Sequence, residues 1–216
     1  MKTKISIIML IFTLCFSLFS FLGCDTDKAT GLSKDEWDAM LDKSNFENYT
    51  LTMNSHCVTN PLSEDSQAMA SEETSRIIMK VTENKVHNSL NNIYNETSFS
   101  NEETLEGEAA ESTKAIYLGM IEAFKYEYFD YDPETNVYEA KQAIEMPQKD
   151  IYIEIVDGEE IQTEKTVTVL WENVVIEISN GRIYKISYNS TNVNEEWQTS
   201  MEIETVLVFS DYGTTK

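Results

Sequence analysis

Period-two alternation of apolar and polar side chains most narrows the folds open to this chain. Tyr49, Leu51, Met53 and Cys57 fall on one side of an extended segment, with Thr50, Thr52, Asn54 and His56 on the other. Residues 199–210 repeat the pattern, with Met201, Ile203, Leu207 and Phe209 against Glu202, Glu204 and Val206. Such alternation marks strands with one buried face. Ile77, Met79 and Val81 give a further strand its apolar face. Glu83-Asn84 can turn that strand into a polar one, from Lys85 to about Tyr94, whose Asn88, Asn91 and Asn92 suit an edge or an exposed central position. More strands are expected at about 137–144, 150–156, 165–170, 173–179 and 182–189. Asp157-Gly158 and Asn180-Gly181 read as hairpin turns, because two-residue turns need the positive φ that Gly and Asn tolerate. Two segments have helical spacing instead. Ser33-Lys34-Asp35-Glu36 is a capping box ahead of Trp37, Met40 and Leu41, which predicts a helix over 34–43. Ile116, Met120, Ile121 and Phe124 predict a second helix over 112–125. Residues 59–73 read as a polar connection, and the acidic stretch 100–112 (Glu102, Glu103, Glu106, Glu108, Glu111) as a solvated loop. The expected class is α+β: a curved, mainly antiparallel sheet of about seven to nine strands, with two helices packed on one face.

Charge narrows the partners. The 216 residues carry 38 acidic and 16 basic side chains, a formal charge of −22. Such a surface repels phosphate backbones and excludes nucleic acid as a partner. With 41% hydrophobic and 11% aromatic residues the chain is not a disordered acidic tail. No repeat, heptad or Gly-rich phosphate loop is present in the sequence.

The first 23 residues read as a leader. Lys2 and Lys4 head an almost unbroken run of Ile, Leu, Phe and Met from Ile5 to Gly23. A basic head, an apolar core and a small residue at the boundary form an export signal. Its end, Phe21-Leu22-Gly23-Cys24, resembles the lipobox of bacterial lipoproteins, with Phe21 where Leu is usual. That resemblance implies cleavage before Cys24 and lipidation of its sulfur, with palmitate-type chains holding the protein at the cell membrane, outside the cytoplasm. An uncleaved membrane anchor is the alternative, and it leaves the rest of the chain on the same side. Residues 24–32 then form the lipidated end and a polar tether, and 33–216 a single domain. Cys15 would leave with the leader, so Cys57 is the one cysteine left and no intrachain disulfide is expected.

Several phrases carry a further resemblance. They are Asn45-Phe46-Glu47-Asn48-Tyr49-Thr50 after a Trp-bearing helix; Phe129-Asp130-Tyr131-Asp132 with Val137-Tyr138-Glu139-Ala140; the hairpin Ile176 to Ile183; and the ending Phe209-Ser210-Asp211-Tyr212-Gly213. Together with the lipobox they resemble small lipoproteins of Gram-positive anaerobic bacteria. Their layout is similar to the lipoprotein-carrier group of LolA-like, LppX-like and RseB-like proteins. The resemblance implies an incomplete barrel whose open face is covered by helices, with an apolar cavity for acyl chains. Ten residues on the alternating faces are candidates to line it: Tyr49, Leu51, Met53, Ile77, Met79, Val81, Met201, Ile203, Leu207 and Phe209. The same ten would equally make an ordinary filled core.

Little in the sequence points to catalysis. His56 and Cys57 are neighbours in a strand, so their side chains diverge. Asp130, Asp132, Glu134 and Asn136 mimic the front of a calcium loop, but Thr135 stands where Gly is needed and Lys141 where the closing Glu belongs. No metal or cofactor is expected. Two functions stay open: a non-enzymatic, membrane-anchored lipoprotein holding a lipid or other apolar ligand, or a surface lipoprotein with a filled core that meets a protein partner, by edge pairing for example.

Overall fold

The computed structural model describes residues 31–63, 69–156, 159–194 and 198–215. The leader, Cys24, most of the tether and the Asp157-Gly158 turn lie outside the described residues. Within the folded unit, Leu32–Lys216, the order is helix α1 (Lys34–Met40), strands β1 (Tyr49–Pro61), β2 (Ser71–Val81), β3 (Lys85–Tyr94) and β4 (Thr97–Glu106), helix α2 (Gly107–Glu122), then β5 (Phe129–Asp132), β6 (Val137–Ala140), β7 (Ile144–Val156), β8 (Glu159–Ser179), β9 (Arg182–Asn194) and β10 (Thr199–Ser210). All ten strands join one antiparallel sheet, in the order β4-β3-β2-β1-β10-β9-β8-β6-β5, with β7 also paired to β8.

The α+β class, the antiparallel sheet and the two helices agree with the sequence-based expectation. The sheet has ten strands where seven to nine were expected, and it is open and uncurled where a curved half-barrel was expected. Sheets bend where an extra residue enters one strand. Pairing along β4-β3-β2-β1-β10-β9 runs without a register break. The register shifts lie between β8 and β9, at Glu172/Val175 and Glu177/Ile178.

Other corrections are local. The polar stretch 100–112 is the end of β4 and the first turns of α2, not a loop, because β3 supplies a full ladder from Lys85↔Glu106 to Tyr94↔Thr97. The second helix accordingly starts at Gly107 rather than residue 112. The connection at 59–73 is shorter than expected, since β1 extends to Pro61 and β2 begins at Ser71. Residues 165–170 and 173–179 belong to one strand, β8, in which Asn173 takes φ 52° at the register shift. The expected strand at 137–144 ends at Ala140, and Ile144 already opens β7.

Local chemistry accounts for the joints. Ser33 caps α1 through Glu36 N–H while the Glu36 carboxylate reaches back to Ser33 N–H at 2.8 Å, the expected capping box. Two-residue turns at Asn95-Glu96 (φ 42° and 70°) and Asn180-Gly181 (φ 53° and 69°) close the β3–β4 and β8–β9 hairpins in the left-handed region that right-twisted strands favour.

The core lies between the sheet and the helices. Trp37 of α1 is fully buried against Phe129, Tyr138 and Tyr126, with ring centroids 5.1, 5.1 and 6.0 Å away. Its indole N–H donates to the Phe124 carbonyl at 3.0 Å, tying α1 to the chain just beyond α2. Phe46 meets Tyr49, Phe209 and Tyr212 edge-on, closing the other side of the same cluster. Truncating Trp37 to Ala should cost about 3–5 kcal/mol of unfolding free energy. The Trp37→Phe change, which keeps a ring but strands the Phe124 carbonyl, should cost about 1–3 kcal/mol. Denaturant titration of the two variants checks the order.

Candidate functional site

Register brings the ten predicted lining residues onto one face. Across β2-β1-β10 the rows read Met79–Leu51–Phe209 and Ile77–Met53–Leu207, with Val81 beside Tyr49; Ile203 follows opposite Cys57 and Met201 opposite Thr59. Helix α2 packs over this face: its Tyr117 is largely buried and lies close enough to Tyr49 and Tyr188 to help push both phenols up.

The face divides along its length. Tyr49, Leu51, Met79, Val81, Leu207 and Phe209 are sealed, none more than 1% exposed, in the cluster built on Trp37 and Phe46. Met53 packs half-buried against that cluster, while Ile77, Met201 and Ile203 are half-buried further along. Beyond the sealed part the face becomes mixed. Thr205 and Ser190 are buried there, Trp171 stacks on Tyr188 at 3.5 Å with planes 7° apart, and Cys57 lies opposite Glu73. Asn92, also buried, donates to the Glu73 carboxylate. The sequence patterns missed this polar, aromatic half, because Thr, Ser and Asn at inward positions carry no apolar signal. Even spacing within a strand could have revealed only Thr205, two residues before Leu207.

Two concavities on the described surface lie at hairpins, and of the ten residues only Phe209 is in the lining of either. One, about 410 Å³, lies beside the β3–β4 turn among Glu72, Thr74, Ile93, Asn95 and Glu96. The other, about 340 Å³, lies at the β8–β9 hairpin among Ser179, Asn180, Arg182, Ile183, Tyr184, Phe209 and Tyr212.

The remaining candidates separate. His56 faces away from Cys57 and meets the Glu72 carboxylate at 2.9 Å. Burial pushes the Cys57 thiol up, away from the thiolate form a nucleophile needs. In the calcium-like turn the Asp132 carboxylate accepts from Glu134 N–H at 2.8 Å and from the Thr135 hydroxyl at 2.6 Å, and these bonds hold its carboxyl below the usual carboxylate range. The Tyr131 hydroxyl donates to the Asn136 side-chain oxygen at 2.8 Å. The turn thus engages the Asp132 and Asn136 side-chain oxygens in its own hydrogen bonds.

At the end of the sheet, β4 pairs with β3 alone. Every residue of β4 except Leu105 is exposed, and Glu102, Glu103 and Glu106 lie along it. Lys85 on β3 meets Glu106, the pair that begins the β3–β4 ladder.

Burial raises the Tyr188 phenol from 10.0 to about 12, and the Tyr49, Tyr117, Tyr138 and Tyr212 phenols are also raised, chiefly by burial. The folded state therefore holds protons that the unfolded chain releases, so stability is complete below about pH 10 and falls as pH rises from there toward 12. Tyrosinate absorbance should show a late group of phenols that merges with the early group once the protein is unfolded. Leu51→Ala should cost about 2–5 kcal/mol and Ile203→Ala about 1 kcal/mol, since only the first opens a cavity in sealed packing; equilibrium unfolding measures both. Comparison of the chain with protein-family models, with curated protein sequences and with solved structures gave no match.

Proposed function

We propose that this chain is a lipid-anchored, extracytoplasmic, non-enzymatic protein that binds a protein partner along the β4 edge of its sheet. The observation that carries the reading is β4 itself: ten residues at the end of the sheet, paired on one side only and exposed over nearly all their length. A strand so placed offers a row of unpaired N–H and C=O groups to an incoming extended segment. Its carboxylates at Glu102, Glu103 and Glu106 favour a basic segment and oppose pairing with a second copy of the same acidic strand. The leader and Phe21-Leu22-Gly23-Cys24 supply the anchor. Lipid on Cys24 holds the folded unit at the outer face of the membrane, where such a partner is met.

A second reading has its own observation. Met53, Ile77, Met201 and Ile203 continue the apolar face as half-buried side chains past the sealed core. An acyl chain laid there would bury apolar area at about 25 cal/mol per Å². Co-purification of a lipid with the full chain, seen by native mass spectrometry and extraction, favours this reading over edge pairing.

The Cys24→Ser variant should lose incorporation of a fatty-acid label and its partition with membranes; retained label ends the anchor assignment. A photo-crosslinking residue at Ser100 of β4 should capture a discrete partner in intact cells, whereas the same residue at Glu202 of β10 should not. Reversing charge with Glu102→Lys and Glu103→Lys should abolish the Ser100 adduct. An adduct indifferent to that reversal, or equal capture at both sites, rules out the edge reading.

A further inference from the structure

The β8–β9 hairpin carries a cation, Arg182, that makes no ion pair among the described residues. Among the described residues three basic side chains are half-buried: Lys114, Arg182 and Lys185. Lys114 meets Glu111 at 2.7 Å and Lys185 meets Glu177 at 2.7 Å. Among the described residues Arg182 has no carboxylate within ion-pair distance, although the chain holds 38 acidic residues against 16 basic. Asp211, which follows β10, takes a hydrogen bond from the Ser210 hydroxyl at 3.1 Å. Partly desolvated charges are ordinarily paired, because an isolated one costs free energy.

What holds Arg182 is a ring. Its guanidinium lies 4.8 Å from the centroid of Tyr212. Tyr212 is itself fixed, its hydroxyl donating to the Ile183 carbonyl at 2.7 Å and its ring near Phe46 and Tyr49. A guanidinium held over a ring meets a cation–π partner that accepts none of its charge-assisted N–H bonds to oxygen, and its fork geometry matches a planar or tetrahedral oxyanion. That group lines the concavity of about 340 Å³, whose lining also includes Ser179, Asn180 and the exposed Tyr184; Ile183 and Phe209, in the same lining, are buried. A charged donor, two further polar residues and an exposed aromatic ring suit a small ligand with a charged head.

We infer that the hairpin concavity is a binding site for an organic oxyanion, a phosphate or carboxylate head on a small apolar body, with Arg182 as the group that recognises it. The inference is independent of the edge reading, since the site and β4 share no residue. The head can belong to a free metabolite or to a membrane lipid; the chemistry at Arg182 is the same.

The test is an NMR titration of the Arg182 side-chain N–H in the full chain, held in a neutral detergent. Phenyl phosphate and benzoate serve as free probes, and short-chain phosphatidylglycerol mixed into the detergent as the lipid probe. A saturable shift of the Arg182 signal with a free probe assigns a soluble ligand, and a shift with the lipid alone assigns a headgroup; either supports the site. Arg182→Gln should weaken the binding at least tenfold with little change in melting temperature, and Arg182→Lys, which keeps charge but loses the fork, should weaken it several-fold. If Arg182→Gln fails to fold, the wild-type titration decides alone. Absence of a saturable Arg182 shift with all three probes, or an Arg182→Gln variant that binds as well as the parent, overturns the site.

Discussion

The three-strand ladder β2-β1-β10 governs the rest of the molecule, because its unbroken register puts the large apolar residues Tyr49, Leu51, Met79, Val81, Leu207 and Phe209 on one side, with Val58, Ile78, Val206 and Val208 on the other. Side chains alternate across a sheet, so a slip of one residue would turn Leu51, Met79 and Phe209 to solvent together. With the register held, these residues and Tyr49, Val81 and Leu207 form a surface that only a cover can satisfy. Trp37 and Phe46 supply part of that cover from the N-terminal side, and Ile121 and Tyr117 of α2 supply the rest. Burial of this one face against helices is the layered arrangement expected of an α+β domain without disulfides.

The same ladder explains why the face is not uniform. Strands of eleven to thirteen residues run well beyond the two helices, of seven and sixteen residues, that cover them. A strand advances about 3.3 Å per residue and a helix about 1.5 Å. The sheet therefore outreaches its cover, and the outlying part is mixed: Thr205, Ser190 and Asn92 are buried there beside the Trp171–Tyr188 stack, and Cys57 is half-buried. The half-buried Ile203 and Met201 belong to this outlying part.

The uncurled sheet has a second consequence: it keeps its ends. A closed barrel would have paired β4 with a strand at the other end of the order; here β4 and β5 are both terminal. β5 is short, four residues, which is one way natural sheets limit an edge. β4 is long, and its protection is charge, through Glu102, Glu103 and Glu106. Charge that discourages like strands still admits an oppositely charged one, and this selectivity underlies the proposed partner. The acidic surface also sets off Arg182, whose counterpart is a tyrosine ring and not one of the many carboxylates.

Period-two spacing made the strands legible wherever one face is apolar: β1, β2 and β10 stand close to where alternation puts them, polar β3 follows the turn expected at Glu83-Asn84, and Asn180-Gly181 closes its hairpin as its backbone preference requires. The capping box at Ser33 was equally plain, since its hydrogen bonds are local. β4 escaped detection because an edge strand with both faces wet has no alternation to display, and its glutamates read as loop. Register puts the ten candidate lining residues on one face, yet their spacing could not separate the six that are sealed from the four that are half-buried. Local sequence by itself determined hydrogen-bonding turns, caps and the sidedness of strands. Tertiary structure alone decided how far the helices reach over the sheet, which strand stands at its end and which ring meets Arg182, because those depend on contacts between residues far apart in the chain.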